Sequence, residues 1–346
     1  MAALGRAAPV RVRAPFPGEG RAIAALWRDL WEAHEAWGGY PGSRDPIVYE
    51  HVALRLDDDS RARAGHPILG RHVHVVADLG GALCGQVEGW LEQLGIDEAT
   101  PFTCELRSLI VAMRARTQGA GRALLDTVAH VSRSVSRGGP CVLAAEVLER
   151  NPARAFYAHV GYTPVAWSAR IEAATGAAGP QGPFRARPAA ARDALAVARL
   201  ETLLAARRRA NGDARFDRPR PLDATLISAI ASRLGSEAPA SLQEPATLVV
   251  TDGAGIARGA ASLTVHSLEP PFAPRRRALA GRFAFDTACP TASLLAPLVV
   301  LACKLSLARG AQHVELTDLS APGTQLHDAA LAVGARAWSQ VVTKFV

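Results

Sequence analysis

The amino-acid sequence predicts an α/β protein of two tandem domains, each a mixed sheet flanked by helices. Three observations carry this. A strand-like run ends at Val111 and leads through Arg116-Thr117-Gln118-Gly119-Ala120-Gly121 into an apolar helix opening with Arg122, Ala123, Leu124 and Leu125. Apolar residues switch repeatedly between helical spacing and short strand-like runs along the chain. A segment of small residues, 173–183 (AATGAAGPQGP), lies near the middle, and the same order of elements restarts after it. The 346 residues suffice for two domains of about 100–200 residues each.

The elements follow in order. Val10 and Val12 predict a short strand over 8–16, and the spacing of Ile23, Leu26, Trp27, Leu30 and Trp31 a helix over 19–36. Tyr40-Pro41-Gly42-Ser43 reads as a loop, and 46–56 as a second helix. Strands 72–77 and 83–91 form a hairpin about Gly80-Gly81, with His72 and His74 expected to face solvent. Strand 102–111, helix 119–136, strand 141–147, a short helix 151–160 and strand 163–171 complete the first half. After the 173–183 linker come strand 184–187, helices 190–210 and 223–234, and a strand pair 247–250 and 257–265 about Asp252-Gly253. Strand 279–286, helix 291–309, strand 313–317, helix 323–333 and strand 337–346 follow. Both halves read β-αα-β-β-β-α-β-α-β, an internal duplication with domains at 1–172 and 184–346.

Composition narrows the function. Apolar residues make up 49% of the chain, enough for sizeable cores. The formal net charge is +7, and residues 1–180 balance to zero, so the excess lies in the second half. Its densest runs are Arg207-Arg208-Arg209 and Arg275-Arg276-Arg277. An anionic partner is one reading of these runs; an arginine-rich solvated surface is the favoured one, because no aromatic residues interleave them as a nucleic-acid site would require. Nucleic acid is therefore not an expected partner. Cys84, Cys104, Cys141, Cys289 and Cys303 form no CxxC and no Cys/His cluster with zinc spacing, so buried reduced thiols, a cytoplasmic location and no metal are expected. The N-terminus shows no continuous apolar signal-like stretch, and the longest apolar run, 294–303, falls short of the roughly 20 residues of a membrane span. A soluble protein without membrane contact is expected.

A turn such as Arg116 to Gly121 aims backbone N–H groups at one spot and suits phosphate oxygens. This stretch resembles motif A of the GNAT superfamily of acyl-CoA-dependent N-acyltransferases, (Q/R)-x-x-G-x-(G/A) between a strand and a helix. Residues 151–162, NPARAFYAHVGY, resemble the family's next motif, a helix that carries Tyr and ends in Gly-aromatic. The second motif follows the first by about 30 residues, across a strand. The resemblance covers about residues 8–172; the second half shares the order of elements only.

The resemblance implies a sheet with two splayed parallel strands and acetyl-CoA as co-substrate, with a small-molecule or peptide primary amine as acceptor. Transfer would be direct, in a ternary complex. Pantetheine would pair with Leu109, Ile110 and Val111, and the N–H of Val111 or Ile110 would be the oxyanion donor. The pyrophosphate would rest on the N–H groups of Arg116, Thr117, Gln118, Gly119, Ala120 and Gly121, with charge from Arg116 and Arg122; the glycines would keep a Cβ out of its way. Glu105, six residues before Val111, matches the family's base, or is a structural glutamate at the strand start. Tyr157 matches the general-acid tyrosine. Asn151 would bond the cofactor or cap its helix. His34, Trp37, Tyr40 and Tyr49 would wall the acceptor pocket, and Glu32, Glu35 and Asp45 would draw in a cationic amine.

The second half departs from this pattern. Its corresponding loop, 286–293, reads DTACPTAS, without the glycine motif, and Pro290 removes a backbone donor. It is expected to be a degenerate GNAT-like domain that does not bind CoA. An acyl-CoA-binding regulatory or protein-interaction module without turnover is the alternative function. Acceptor identity, acyl length and oligomeric state are open at this stage.

Overall fold

The computed structural model describes residues 9–93, 101–137, 139–179, 182–216, 221–236, 246–268, 270–273 and 276–346. Residue 8 of the first expected strand, residues 180–181 of the expected linker and Arg275 lie outside these. The chain forms two compact units, one of residues 1–163, 269–273 and 342–346, the other of 164–268 and 274–341. Each unit thus takes in short stretches from the other half of the sequence.

In the first unit the order is β1 (Val10–Arg13), α1 (Gly20–Ala36), α2 (Pro46–Arg63), β2 (Ile68–Leu69), β3 (His72–Leu79), β4 (Ala82–Gln93), β5 (Phe102–Val111), α3 (Ala120–Val135), β6 (Cys141–Leu148) and α4 (Ala153–His159). The sheet runs β1-β3-β4-β5-β6; all its neighbours are antiparallel except β5 and β6. At the outer side of β6, the N–H of Val346 donates to the Cys141 carbonyl at 2.9 Å. Leu124, Leu125 and Val128 of α3 pack on one face against Val75, Val87, Cys104 and Leu106. Ile23, Trp27, Trp31, Val52 and Leu56 of α1 and α2 pack on the other against Val76 and Ile110. Each large apolar side chain buried in these layers contributes about 1.5–3 kcal/mol.

Helix α2 runs seven residues past its expected end because its polar tail has partners inside the unit. Asp45 caps its start by accepting from Ile47 N–H at 2.9 Å, with Pro46 following. Asp57 accepts from the N–H groups of Gly18 and Gly20, both at 2.8 Å. Arg63 is buried and donates to the carbonyls of Pro67 (3.1 Å) and His72 (3.0 Å). His72 and His74 do not face solvent. His72 stacks on Trp90 with ring centroids 4.6 Å apart and lies 3.4 Å from Glu88. His74 is buried, with Nε2 2.7 Å from Gln86 Oε1, and burial holds its imidazole below the usual pKa. Alternation alone mistook a strand covered on both faces for a half-exposed one.

In the second unit lie β7 (Thr163–Glu172), α5 (Ala173–Ala177), β8 (Arg185–Pro188), α6 (Ala194–Ala210), α7 (Ala224–Ser236), β9 (Ala246–Thr251), β10 (Ala257–Ser267), β11 (Arg276–Phe285), α8 (Thr291–Ala308), β12 (His313–Leu319), α9 (Gln325–Ala332) and most of β13 (Arg336–Phe345). Its strands follow the order β7-β12-β11-β10-β9-β8, with β11 and β12 parallel. The expected flexible linker is in part a packed helix: Ala173 is buried in α5, and a Cβ on Gly176 would run into Cys303 Sγ of α8. Small residues there serve close packing. Helix α8 is, by length and composition, apolar enough to cross a membrane, which the shorter run 294–303 did not suggest. Here Leu294, Leu295, Leu298 and Cys303 are buried in the core of the unit beneath its sheet.

Candidate functional site

The first unit holds a split between two parallel strands. Strands β5 and β6 pair from Phe102–Cys141 to Leu106–Ala145, and no register pair follows beyond these. Over the same stretch β5 bulges: Gln86 opposes Ile110 and Glu88 opposes Arg107, so Ser108 and Leu109 together face Val87. Ser108 takes a left-handed φ of 52°, uncommon for a side chain of its kind, and the bulge bends the strand. The carbonyl of Ser108 accepts from Gln86 Nε2 at 3.0 Å, which ties the bulge to His74 through the buried amide. Leu109, Ile110 and Val111 are the residues of β5 beyond this point.

From Val111 the chain passes through 112–119 into α3. Gly119 sits at the N-cap with φ 85°, and no side chain caps the helix. The first helical bond runs from Ala123 N–H to the Gly119 carbonyl, so the N–H groups of Ala120, Gly121 and Arg122 precede the ladder and lie at its positive end. Gly119 has no atom within 4 Å of a Cβ position, so its glycine serves the left-handed backbone rather than a protein contact. A Cβ on Gly121 would meet the Phe156 ring at 3.0 Å. Arg116, Thr117, Gln118 and Arg122 are exposed, and Arg116 Nε donates to the Val111 carbonyl at 3.3 Å. An uncapped helix start with exposed cationic side chains is chemically suited to an anion, and these residues fit a pyrophosphate.

The remaining candidates divide. Glu105 lies on β5 beside Ala144, where the strands still pair, half-exposed and 3.1 Å from Arg107. Cys104 and Leu106 face α3, which leaves Glu105 on the opposite sheet face. Leu143, Ala145 and Val147 of β6 likewise face α3, which puts Glu146 on that same opposite face, one residue past the last strand pair. The sequence reading passed over Glu146. Its signal was an acidic side chain alone in the apolar strand CVLAAEVL. His34 of α1 has its pKa lowered to about 4 by burial, against the pull of the Glu146 carboxylate toward the charged form. Tyr157 is buried between Phe156 and Tyr162, and burial raises its hydroxyl above the usual phenol value. Asn151 Oδ1 accepts from Ala153 N–H at 2.9 Å and so does cap α4.

The aromatic region near α1 gains a member from far along the sequence. Phe272 packs on Trp31 with centroids 4.3 Å apart and meets Tyr40 edge-on at 6.4 Å. Its segment is held by Ser43 N–H to the Pro271 carbonyl (2.7 Å) and Ala273 N–H to the Pro41 carbonyl (3.0 Å). His34 lies edge-on to Trp31 at 5.2 Å and tilted to Trp37 at 5.6 Å. Tyr49 Oη lies near Gly42, where a Cβ would meet it at 3.1 Å. Among the described residues no group of three His, Cys, Asp or Glu side chains could hold a metal ion. Burial pushes the thiols of Cys104 and Cys141 up to about 12 and about 11, so both stay protonated.

The second unit repeats the split and fills it. Strands β11 and β12 pair from Ala278–Val314 to Ala280–Leu316, and β11 bulges where Ala260 opposes Ala284 and Ser262 opposes Gly281. Arg282 takes a φ of 55° there, as Ser108 does in the first unit. Here, however, the N–H of Arg282 donates to Asp318 Oδ2 at 3.3 Å, and Arg207 Nη2 donates to the Phe283 carbonyl at 2.6 Å. Arg208 pairs with Asp318. Burial works against the Asp318 charge, but Arg208, Arg215 and the Arg282 N–H outweigh it and hold the carboxyl below its usual range. The loop 286–290 carries Asp286, which accepts from Ala288 N–H at 3.0 Å and pairs with Arg258 at 2.9 Å. Three arginines of the two runs are therefore not simply solvated: Arg207 and Arg208 fold inward, and Arg277 pairs at 2.6 Å with Glu315, which is 0% exposed.

Residues 24–162 match the acetyltransferase (GNAT) family model. No curated protein matches the chain. Among solved structures, a GCN5-related N-acetyltransferase from Sphaerobacter thermophilus is 16% identical with a TM-score of 0.55, over 97% of this chain and 95% of that one. A tandem GNAT protein from the clavulanic acid biosynthesis pathway is 16% identical with a TM-score of 0.51, over 97% of this chain and 98% of that one. At these identities the likeness is one of fold, and it spans both halves of the chain.

Proposed function

Residues 24–162 are a domain of the GNAT acetyltransferase family, and from that premise we propose that the protein moves an acetyl group from acetyl-CoA to a primary amine of a small molecule or peptide. The first unit is the catalytic one, and the second does not bind the donor. The observation that carries the reading is the uncapped start of α3 at Gly119, set directly after a strand that has parted from its neighbour.

Arg116, Thr117, Gln118, Gly119, Ala120, Gly121 and Arg122 hold the pyrophosphate through backbone N–H groups and charge. Leu109, Ile110 and Val111 offer strand-edge groups to the amides of pantetheine, and Asn151 stands at the start of α4 with amide donors beyond its capping bond. Acetyl-CoA supplies the activated acyl group. The acceptor's ammonium must lose a proton, and two carboxylates lie on the relevant sheet face. Glu105 is the first candidate and Glu146, beside neutral His34, the second. Tyr157 keeps its proton because burial disfavours its anion, which suits a donor to a departing thiolate. In the second unit Arg207 takes the Phe283 carbonyl and Asp318 the Arg282 N–H.

CoA release measured over a panel of primary amines tests the reading. At least one amine is expected to give saturable turnover, and Glu105→Gln or Glu146→Gln to cut kcat/KM by about 100-fold while flattening its pH profile. Saturable acetyl-CoA binding with no turnover on any amine would instead identify a regulatory acyl-CoA module.

A further inference from the structure

One buried amide holds the bulge of β5. Gln86 of β4 and His74 of β3 are 0% and 1% exposed. A carbonyl oxygen only accepts, so Gln86 Nε2, 3.0 Å from the Ser108 carbonyl, donates to it. Gln86 Oε1 then faces His74 Nε2 at 2.7 Å, and that nitrogen carries the imidazole proton. The His74 backbone is itself anchored, its N–H donating to the Pro67 carbonyl at 2.8 Å. Ser108 needs such a hold. A φ of 52° is disfavoured for a residue with a side chain and persists only where the surroundings impose it.

The second unit solves the same problem from the opposite side. Strands β5 and β11 are both 10 residues long, and matching them from the first residue brings Ser108 onto Arg282, the two bulge residues with positive φ. Gln86 opposes Ile110 and Ala260 opposes Ala284, so Ala260 stands where Gln86 stands. A methyl group cannot donate. The bulge is held instead by Asp318, which accepts from the Arg282 N–H at 3.3 Å, and by Arg207, which donates to the Phe283 carbonyl at 2.6 Å. Asp318 belongs to β12, the parallel neighbour of β11, so its bond crosses the split. In the first unit the hold comes from β4, which flanks β5 on the side away from β6. A tie from that side fixes the bulge without placing its own side chain in the split.

We propose that Gln86, oriented by His74, is a positioning residue for donor binding: its amide sets the bend of β5 so that Leu109, Ile110 and Val111 turn their edge to the pantetheine arm. The inference rests on the donor site proposed above. Both side chains are buried and act through the Ser108 carbonyl.

Calorimetric titration of CoA into the full chain and two variants tests it. Gln86→Leu removes both bonds. Gln86→Glu keeps an acceptor for His74 but brings no N–H to the Ser108 carbonyl, so it isolates the second bond and serves where the leucine variant does not fold. Wild type is expected to bind CoA saturably, and each folded variant about tenfold more weakly. In turnover, KM for acetyl-CoA should rise by a similar factor while KM for the acceptor amine stays within about twofold, a split that general loosening of the unit would not give. A Gln86→Glu variant with wild-type CoA affinity, or KM values that rise together for both substrates, would overturn the proposal. Absence of saturable CoA binding by wild type would overturn the donor site itself, and this inference with it.

Discussion

His34 shows what a single position in this site costs. Burial lowers its pKa to about 4 from an ordinary value of 6.5, although Glu146 opposes the shift. In the unfolded chain the imidazole protonates as pH falls below about 6.5, whereas in the folded chain it resists until about 4. The unfolded state therefore binds more protons across this window, and stability falls as pH falls through it. Denaturant unfolding at pH 7 and pH 4.5 should show that His34→Asn loses about 2 kcal/mol less than wild type between the two. An equal loss in both proteins would mean that His34 titrates normally in the folded state. The same neutrality at pH 7 leaves a ring nitrogen able to accept a hydrogen bond beside Glu146. Glu105 became a candidate by the family resemblance and its place before Val111, whereas nothing in the sequence drew attention to Glu146. A lone carboxylate in an apolar strand becomes notable only once β5 is seen to leave β6 at the preceding residue. Phe272 was illegible for a related reason, since its partners Trp31 and Tyr40 lie far away in sequence.

At the level of elements, the bulge in β5 depends on a buried polar link. Gln86 accepts at its Oε1 side from His74 and donates through Nε2 to the Ser108 carbonyl, and both Gln86 and His74 are buried. Gln86→Leu keeps the side-chain size and strands both partners, which should cost about 2–4 kcal/mol in denaturant unfolding. A change under about 0.5 kcal/mol would show that the link is dispensable. Periodicity found nearly every helix and strand here, because amphipathic spacing and glycine turns are local signals. It missed the last two turns of α2 and the helix in the supposed linker. Both are held by distant partners: Arg63 by the His72 carbonyl, and Gly176 by its fit against Cys303. The arginine runs misled for the same reason. A one-dimensional cluster of charge says nothing of Asp318 or the Phe283 carbonyl waiting inside the fold.

Across the whole molecule, the two units share an order of elements and a parted parallel strand pair. Both units keep a parallel strand pair that parts just before a bulge, and both place a helix after it. Neither helix start carries a side-chain cap, but the first unit has a left-handed glycine at the N-cap where the second has Pro290. In the second an aspartate-bearing loop and Pro290 precede the helix, and Arg207 and Asp318 satisfy the strand edge. The missing glycine motif was visible in the sequence; the hydrogen bonds of Arg207 and Asp318 to the bulge of β11 were not. A single donor site is therefore expected in a chain with two clefts. Calorimetric titration of acetyl-CoA into the full chain tests this most directly, with Gly119→Glu alongside and a thermal melt confirming that the variant is folded. One equivalent bound per chain, abolished in Gly119→Glu, is the predicted result; two equivalents, or saturable binding that survives the substitution, would contradict it.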